Sequence, residues 1–534
     1  MSKQLIFDYD ARIKLMSGID KTVNALKSTL GPTGKTVLLE RGSGAPATSR
    51  DGISITKEIE LSDPFENMGA KLINEIAEKT SEEVGDGTAT AAIIAQTIFS
   101  EGLKCLSSGG NPVAIKAGLD KSCNAAVEDL KKNARPIKDK SDIQFVATVA
   151  ANNDSHTGSL IADAIEKVGK EGIVTVEESN STETILEFAE GMQLDKGYVS
   201  PYFVTNVDNL TCVMEDAYVL CYDKKISNIQ EILELLEKIS HVGKSLLIIC
   251  DEIEGEALTV LVLNKMRGSL RVCAIKAPAF GDRKKAILED IAVMTGGNYI
   301  SEELGIKLEK VTLEHLGIAK KVIVEKDKSM IIGSDKNKKA IEERCAQLRH
   351  QIKDTTSNYD REKLEERLAK LMGGVAVIKV GGITEAEMKD KKPYIQSAVD
   401  AALAANEEGI VAGGGTALLR IRKAVETLKL EGDEEFGRKI LLKALEMPLF
   451  NIAVNSGFDG NVTVAEARTK EGNIGFNAVS GGFTDLFSAG VIDPAKTLRV
   501  AIQNAVSIAG LLLASNTLIA DLKDKKKAVE NAVS

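Results

Sequence analysis

The sequence predicts an α+β, multidomain protein in which an α/β domain is inserted into a mostly helical body built from both ends of the chain. Three observations predict it. Apolar residues at helical spacing fill the first ~130 residues and return after 416. Short β-like runs alternate with helical segments only in the middle. A chain of 534 residues is also too long for a single hydrophobic core.

The elements follow in order. Ile13, Leu15, Met16, Ile19, Val23, Leu26 and Leu30 recur at helical spacing over 10–30, and Gly31-Pro32 stops the run. Residues 36–40 and 53–56 suggest a short hairpin. Helical patterns fill 65–131, with a break at Asn111-Pro112. After Pro136 the texture changes. Residues 173–177, 217–221, 246–250, 271–275 and 321–324 read as strands, with helices at 228–239 and 254–266 between them. The charged stretch 337–371, with Arg361, Glu362, Lys363, Glu365, Glu366 and Arg367, reads as a solvent-facing helix or helical hairpin. Glycine pairs at 373–374 and 381–382 and the triplet Gly413-Gly414-Gly415 punctuate the return to helix. The last dozen residues, beginning Lys-Asp-Lys-Lys-Lys, read as a frayed tail.

Composition bounds the function. Aromatic residues are 4% of the chain and Trp is absent, so the cores must be aliphatic. A net charge of −10 argues against nucleic acid as the main partner. The seven cysteines form no CxxC pair and read as reduced, buried thiols. Four scattered histidines have no metal-ligand spacing. The N-terminus has no signal-peptide apolar region and no apolar run looks membrane-spanning, so a soluble, cytoplasmic protein is expected.

The stretch with most chemistry is Gly-Asp-Gly-Thr-Ala-Thr at 85–90. It sits at the start of a long apolar helix, where backbone N–H groups are unpaired and the helix dipole favours an anion. Gly85 and Gly87 let backbone approach a phosphate. Asp86 offers a hard oxygen to Mg²⁺, and Thr88 and Thr90 offer hydroxyls. An ordinary Asp/Gly turn ahead of a helix fits the same residues equally well. Residues 30–36 superficially suggest a P-loop, but the spacing needs Gly where Thr29 stands. Arg50-Asp51-Gly52 is a second acidic turn. Three consecutive glycines at 413–415 are costly in entropy, which suggests close approach to a ligand or a hinge. In the middle domain Leu233 with Leu236, and Leu258, Val262 and Leu263, mark apolar helix faces, with Tyr198, Tyr202 and Phe203 just upstream. Such faces are either core or a groove for partners.

In this order the motifs resemble the group I chaperonins, the GroEL family. The resemblance covers nearly the whole chain and rests on Leu30-Gly31-Pro32, Asp51-Gly52, 65–70, 85–88, 167–172, 197–203, 223–229, 276–283, 357–364 and 407–415. It implies a mostly helical equatorial domain (1–132 with 408–534), a small intermediate domain (133–189 with 376–407) and an α/β apical domain (190–375). It implies ATP, Mg²⁺ and K⁺ in the equatorial domain. Leu30, Gly31 and Pro32 would line the nucleotide, and Asp86 would ligate Mg²⁺, with Gly87, Thr88 and Thr90 around the phosphates. Asp51 would stand near the attacking water, Gly413, Gly414 and Asp493 near the ribose, and Asn477 and Ala478 near the base. Tyr198, Tyr202, Phe203, Leu233, Leu236, Leu258, Val262 and Leu263, with Ser200 nearby, would form an exposed apical surface. That surface would take non-native polypeptides and a GroES-type co-chaperonin lid. Subunits would form homo-oligomeric seven-membered rings stacked in pairs, moving about glycines near Gly191, Gly374 and Gly409. No nucleic acid or membrane partner is implied.

Some positions depart from the family pattern. The Asp that activates hydrolysis is replaced by Ser397, and Asp400, three residues on, is the nearest substitute on that helical face. Ala89 stands where the family has Thr, Gly481-Gly482-Phe483 replaces a charged pattern, and the Gly-Met tail repeat is missing. The resemblance therefore supports two functions: an ATP-driven folding chaperonin, or a nucleotide-gated holdase with weak hydrolysis.

Overall fold

The structure, a computed structural model, describes residues 3–40, 46–151, 153–169, 173–179, 181–189, 191–207, 209–334, 337–355 and 357–521. The expected C-terminal tail, and residues 170–172 of the 167–172 motif, lie outside the described residues. The chain forms two compact units. The first is Met1–Asp163, Glu178–Glu183 and Val380–Ser534; the second is Ala164–Glu177 and Thr184–Lys379.

The first unit opens with strand β1 (Lys3–Phe7) and helix α1 (Asp8–Lys27), whose buried face includes the stripe Leu15, Ile19, Val23 and Leu26. A hairpin follows, β2 (Val37–Leu39) against β3 (Ala47–Ser49). The expected strand at 53–56 is instead the middle of helix α2 (Gly52–Glu58). The reason is its cap: one Asp51 carboxylate oxygen accepts from Ser54 N at 2.9 Å and Ser54 Oγ at 2.6 Å. Such a cap stabilises a helix by about 1 kcal/mol, enough to outweigh the strand preference of two isoleucines. Helix α3 (Pro64–Val84) starts on an Asp63 cap with Pro at its first position and stops at Gly85 in the left-handed conformation. Helices α4 (Thr88–Ser107) and α5 (Pro112–Asn133) follow, the second capped by Asn111. A Cβ on Gly18 would lie 1.8 Å from the Glu66 carbonyl oxygen, so α1 and α3 pack backbone to backbone. Helices α6 (Lys140–Ala150) and α7 (Ser155–Val168) close this stretch.

The second unit is the α/β part. Its strands and helices are β4 (Ile173–Glu178), β5 (Ile185–Ala189), β6 (Gly191–Leu194), β7 (Cys212–Tyr222), α8 (Leu233–Val242), β8 (Leu246–Cys250), α9 (Gly255–Met266), β9 (Val272–Lys276), α10 (Gly281–Thr295), β10 (Tyr299–Ile300), β11 (Gly317–Val324), β12 (Ser329–Ile332), α11 (Lys338–Asp354), α12 (Asn358–Gly373) and β13 (Val375–Val380). The main sheet runs β6-β12-β11-β7-β8-β9, with β10 also on β7; a second sheet runs β4-β13-β5. Strands β7, β8 and β9 are parallel, and every residue of β8 is buried. Burial on both faces explains why 246–250 reads as a continuous apolar run.

The charged stretch 337–371 is the helical pair α11 and α12, as expected, but it is not simply solvent-facing. Arg344 and Arg367 both turn inward onto Asp290 of α10, whose side chain is 1% exposed. Arg344 Nε donates to Asp290 at 2.7 Å, and Arg367 donates from Nε at 2.8 Å and Nη2 at 2.9 Å. Charge density along a helix does not reveal which guanidinium meets a buried carboxylate.

The remaining elements belong to the first unit: α13 (Glu385–Glu408), β14 (Ile410–Ala412), α14 (Thr416–Glu426), α15 (Glu434–Ala444), α16 (Met447–Asn455), α17 (Gly460–Thr469), β15 (Ile474–Asn477), β16 (Gly482–Asp485), β17 (Ile492–Pro494), α18 (Ala495–Ala514) and β18 (Thr517–Asp521). Helix α18 reaches the length and apolarity of a membrane span, which corrects the expectation that no run does. Most of it is buried, however, against α3, α4 and α5, as the central core helix. β18 pairs antiparallel with β1, Lys3 opposite Asp521. None of the seven cysteines is in a disulfide, and six are buried. Burial pushes the thiols of Cys123, Cys221 and Cys250 up to about 12, as inert core thiols require.

The buried ion triad gives a stability prediction. Asp290→Asn leaves Arg367 without its buried counter-charge and Arg344 with only the more exposed Glu289, 2.8 Å from its Nη2, and should cost about 3–5 kcal/mol, read as a lowered urea midpoint.

Candidate functional site

One cleft of the first unit collects the beginnings of several helices. The first turns of α4, α14, α16 and α18 border it, together with the Leu30–Pro32 turn after α1 and the start of α2. None of those four helices has a side-chain cap at its start. No side chain occupies their first-turn N–H groups, and although the first N–H of α14 (Thr416) and of α18 (Ala495) bonds the carbonyl of Gly413 and Gly409, the partial positive charge of these helix starts is available to the cleft.

Facing that potential are Asp51, Asp86 and Asp493. Asp86 accepts the Gly87 N–H at 2.6 Å. Burial first, and the charge of Asp51 as well, raise its carboxyl above the ordinary range, while the Gly87 bond pulls the other way. Asp493 is pushed up to about 7, by burial first and then by the charge of Asp86. Each keeps some surface toward the cleft, but the rest of each carboxyl is enclosed by protein.

Glycine makes the Asp86 loop possible. Gly85 and Gly87 have φ of +70° and +83°. A Cβ on Gly87 would lie 2.7 Å from Thr497 Cγ2, and one on Gly85 would lie 2.2 Å from the Asp400 Cβ. The close approach expected from these glycines is thus made first by protein.

The cleft brings together Leu30, Gly31, Pro32, Asp51, Asp86, Gly87, Thr88, Thr90, Gly414, Asn477, Ala478, Asp493 and Ser397 from distant parts of the chain. Gly413 stands one layer back. A Cβ there would lie 2.9 Å from Asp493 Oδ1, so its glycine makes room for that carboxylate. Asn477 turns its side-chain oxygen to Val479 N at 2.9 Å and fixes the local turn. Asp400 does not face the cleft as Ser397 does. It packs on Gly85 and accepts from Gln396 Nε2 at 2.9 Å. Sequence reasoning missed Asn153, Tyr394 and Ile452, and named Arg50 only as part of the acidic turn; all four line the cleft. Asn153, at φ +65°, had a signal in the Asn-Asn-Asp run at 152–154.

Among the described residues, no three carboxylate, histidine or cysteine side chains converge on one metal position. A divalent cation here would need oxygens from a ligand, as Mg²⁺ takes them from phosphates and water beside one or two carboxylates. Uncapped helix N-termini for anionic oxygens and Asp86 for a cation, with Asp51 and Asp493 beside it, form a donor set that fits a polyphosphate carrying Mg²⁺.

The eight apolar positions of the second unit divide. Phe203 and Leu236 are 0% and 7% exposed and belong to the core, which corrects the expectation that all eight are surface. Leu236 shares the inner face of α8 with Leu235 and Ile239. Tyr198, Leu258 and Val262 are half-buried against that core. Tyr202, Leu233 and Leu263 are exposed, at 64%, 37% and 45%. Ser200 is buried and caps the Pro201–Phe203 turn.

A sequence profile of the TCP-1/cpn60 chaperonin family matches residues 23–523. The fold is similar to the crystal structure of the chaperonin gp146 from bacteriophage EL 2 (Pseudomonas aeruginosa) in the presence of ATP-BeFx. The TM-score is 0.69 at 20% identity, covering 97% of this chain and 99% of that one.

The carboxylates predict a pH dependence. A carboxyl raised from 3.8 to about 7 on folding costs stability as pH rises through that window. Between pH 5 and 8 the ligand-free protein should lose about 1–3 kcal/mol from this cleft, and Asp493→Asn should flatten the profile, measured by urea unfolding at each pH.

Proposed function

The chain belongs to the TCP-1/cpn60 chaperonin family, and on that premise we propose that it is an ATP-dependent folding chaperonin with its nucleotide in the cleft of the first unit. The observation that carries this reading is the pairing of uncapped helix N-termini with Asp51, Asp86 and Asp493 around one cavity. Bound Mg·ATP would supply a phosphoryl group whose hydrolysis resets a conformational cycle. The first-turn N–H groups of α4 at Thr88, Ala89 and Thr90 would hold phosphate oxygens, and Asp86 would hold Mg²⁺. Asp51 would orient the attacking water with the carboxylate oxygen that its helix cap leaves free. Asp493 and Gly414 would meet the ribose, and Asn477 and Ala478 the base; K⁺ would accompany the nucleotide as in the family.

The division into equatorial (1–132 with 408–534), intermediate (133–189 with 376–407) and apical (190–375) domains is part of this reading. So are seven-membered rings stacked in pairs, a GroES-type lid and a cytoplasmic location. Non-native polypeptides would bind the second unit at Tyr202, Leu233 and Leu263, whose exposed apolar surface suits promiscuous capture.

A second reading is a nucleotide-gated holdase with little hydrolysis, and Ser397 favours it. It faces the cleft, and a neutral hydroxyl is a poor general base. Loss of a positioned acid or base typically costs about 10²–10⁴-fold in rate.

Steady-state Mg·ATP hydrolysis separates the two readings. The folding-machine reading expects substantial turnover by the native protein, unchanged within a few-fold by Ser397→Asp and abolished by Asp86→Ala. A near-silent native protein whose Ser397→Asp variant gains at least about tenfold would establish the holdase instead. Separately, replacing Tyr202, Leu233 and Leu263 by Ser should weaken capture of a chemically denatured client at least about tenfold, while nucleotide affinity is unchanged.

A further inference from the structure

We propose that Tyr394 is the positioning residue through which α13 acts on the reacting end of the cleft. The inference rests on the ATP-hydrolysis reading above and deepens it. The Tyr394 hydroxyl accepts the Arg50 backbone N–H at 2.7 Å. Arg50 immediately precedes Asp51, the carboxylate that caps α2 and faces the cavity. The bond joins residues 344 positions apart in sequence, and both side chains line the cleft.

Three further features point the same way. Asp390, one turn before Tyr394, accepts from Thr48 Oγ1 at 3.3 Å, so one face of α13 is laid against the β3–α2 turn. Ser397, one turn after Tyr394, also lines the cavity, but it offers only a short hydroxyl. Asp400, the remaining acidic candidate on this helix, is engaged with Gln396 and packed on Gly85. Tyr394 is thus the α13 side chain whose contact reaches the Asp51 turn directly. A phenol hydroxyl that accepts a backbone N–H is placed to orient rather than to take a proton. Its effect is geometric: it fixes the Arg50 peptide and hence the direction of the Asp51 carboxylate. A misplacement of about 1 Å in such a group can cost on the order of 100-fold in rate.

The test is Tyr394→Phe in the full-length protein, which removes one oxygen and keeps the ring. Four quantities are read: kcat and KM for Mg·ATP, equilibrium binding of a fluorescent ADP analogue, and deuterium exchange of the peptide that contains the Arg50 amide. The expected result is a kcat lowered about 10–100-fold, KM and ADP-analogue affinity within about threefold, and faster exchange at Arg50. Unchanged kcat overturns the inference, as does unchanged exchange at Arg50. A fall in kcat matched by lost nucleotide affinity overturns it too, since that marks a merely structural role. A native protein that binds the analogue but does not turn over ATP also overturns it and leaves the holdase reading. A native protein that neither binds nor hydrolyses removes the nucleotide reading itself.

Discussion

The architecture of the first unit depends on an electrostatic balance in its cleft. Burial raises the proton affinity of Asp86 and Asp493, and the charge of Asp51 adds to it at Asp86 as that of Asp86 does at Asp493. That arrangement persists because the uncapped starts of α4, α14, α16 and α18 supply opposing partial charge. Neither half makes sense alone. Helix starts without caps waste N–H groups, and clustered carboxylates without a cation strain the fold. A ligand that carries both anionic oxygens and a cation would relieve both at once.

The scaffold that brings these groups together is built by close approach. Gly18 lets α1 meet α3, Gly85 lets the Asp86 loop meet α13, and Gly413 makes room for Asp493. Helix α13 is tied at its far end too, where Arg499 of α18 binds Glu408 at 2.7 Å. Its Tyr394 face is thereby held against the β3–α2 turn from two directions. In the second unit the equivalent fastening is charge rather than backbone contact, with two arginines closing on Asp290.

How much of this was legible depends on how local the cause was. The Asp86 loop was legible because two glycines, an acid and a helix start stand within six residues of sequence. Leu246–Cys250 was legible because a strand buried on both faces must be apolar throughout. Ile53–Thr56 was misread because β-branched propensity is weaker than the Asp51 cap beside it. Phe203 and Leu236 were misplaced by the resemblance, which implied an exposed surface where the apolar pattern itself had left core and groove open. Gly85 was read as room for a phosphate, whereas the neighbour its missing Cβ admits is Asp400, which no local pattern reveals. Tyr394 and Ile452 reach the cleft from distant segments, so no local pattern announced them.

The pairing of β1 with β18 has a consequence for how the protein is made. The second unit is nearly continuous in sequence, whereas the first cannot be finished until the ribosome has delivered Thr517–Asp521. At about 5–20 residues per second, roughly 20–70 s separate the synthesis of Asp163 from that of Asp521. Through that interval the faces of α3, α4 and α5 that α18 will cover, Ile94, Ile98 and Leu119 among the residues of that core, have no permanent partner. A nascent chain of this family is thus, for most of its own translation, the kind of sticky, half-finished polypeptide that needs shelter, and its late-arriving C-terminal helix ends that state.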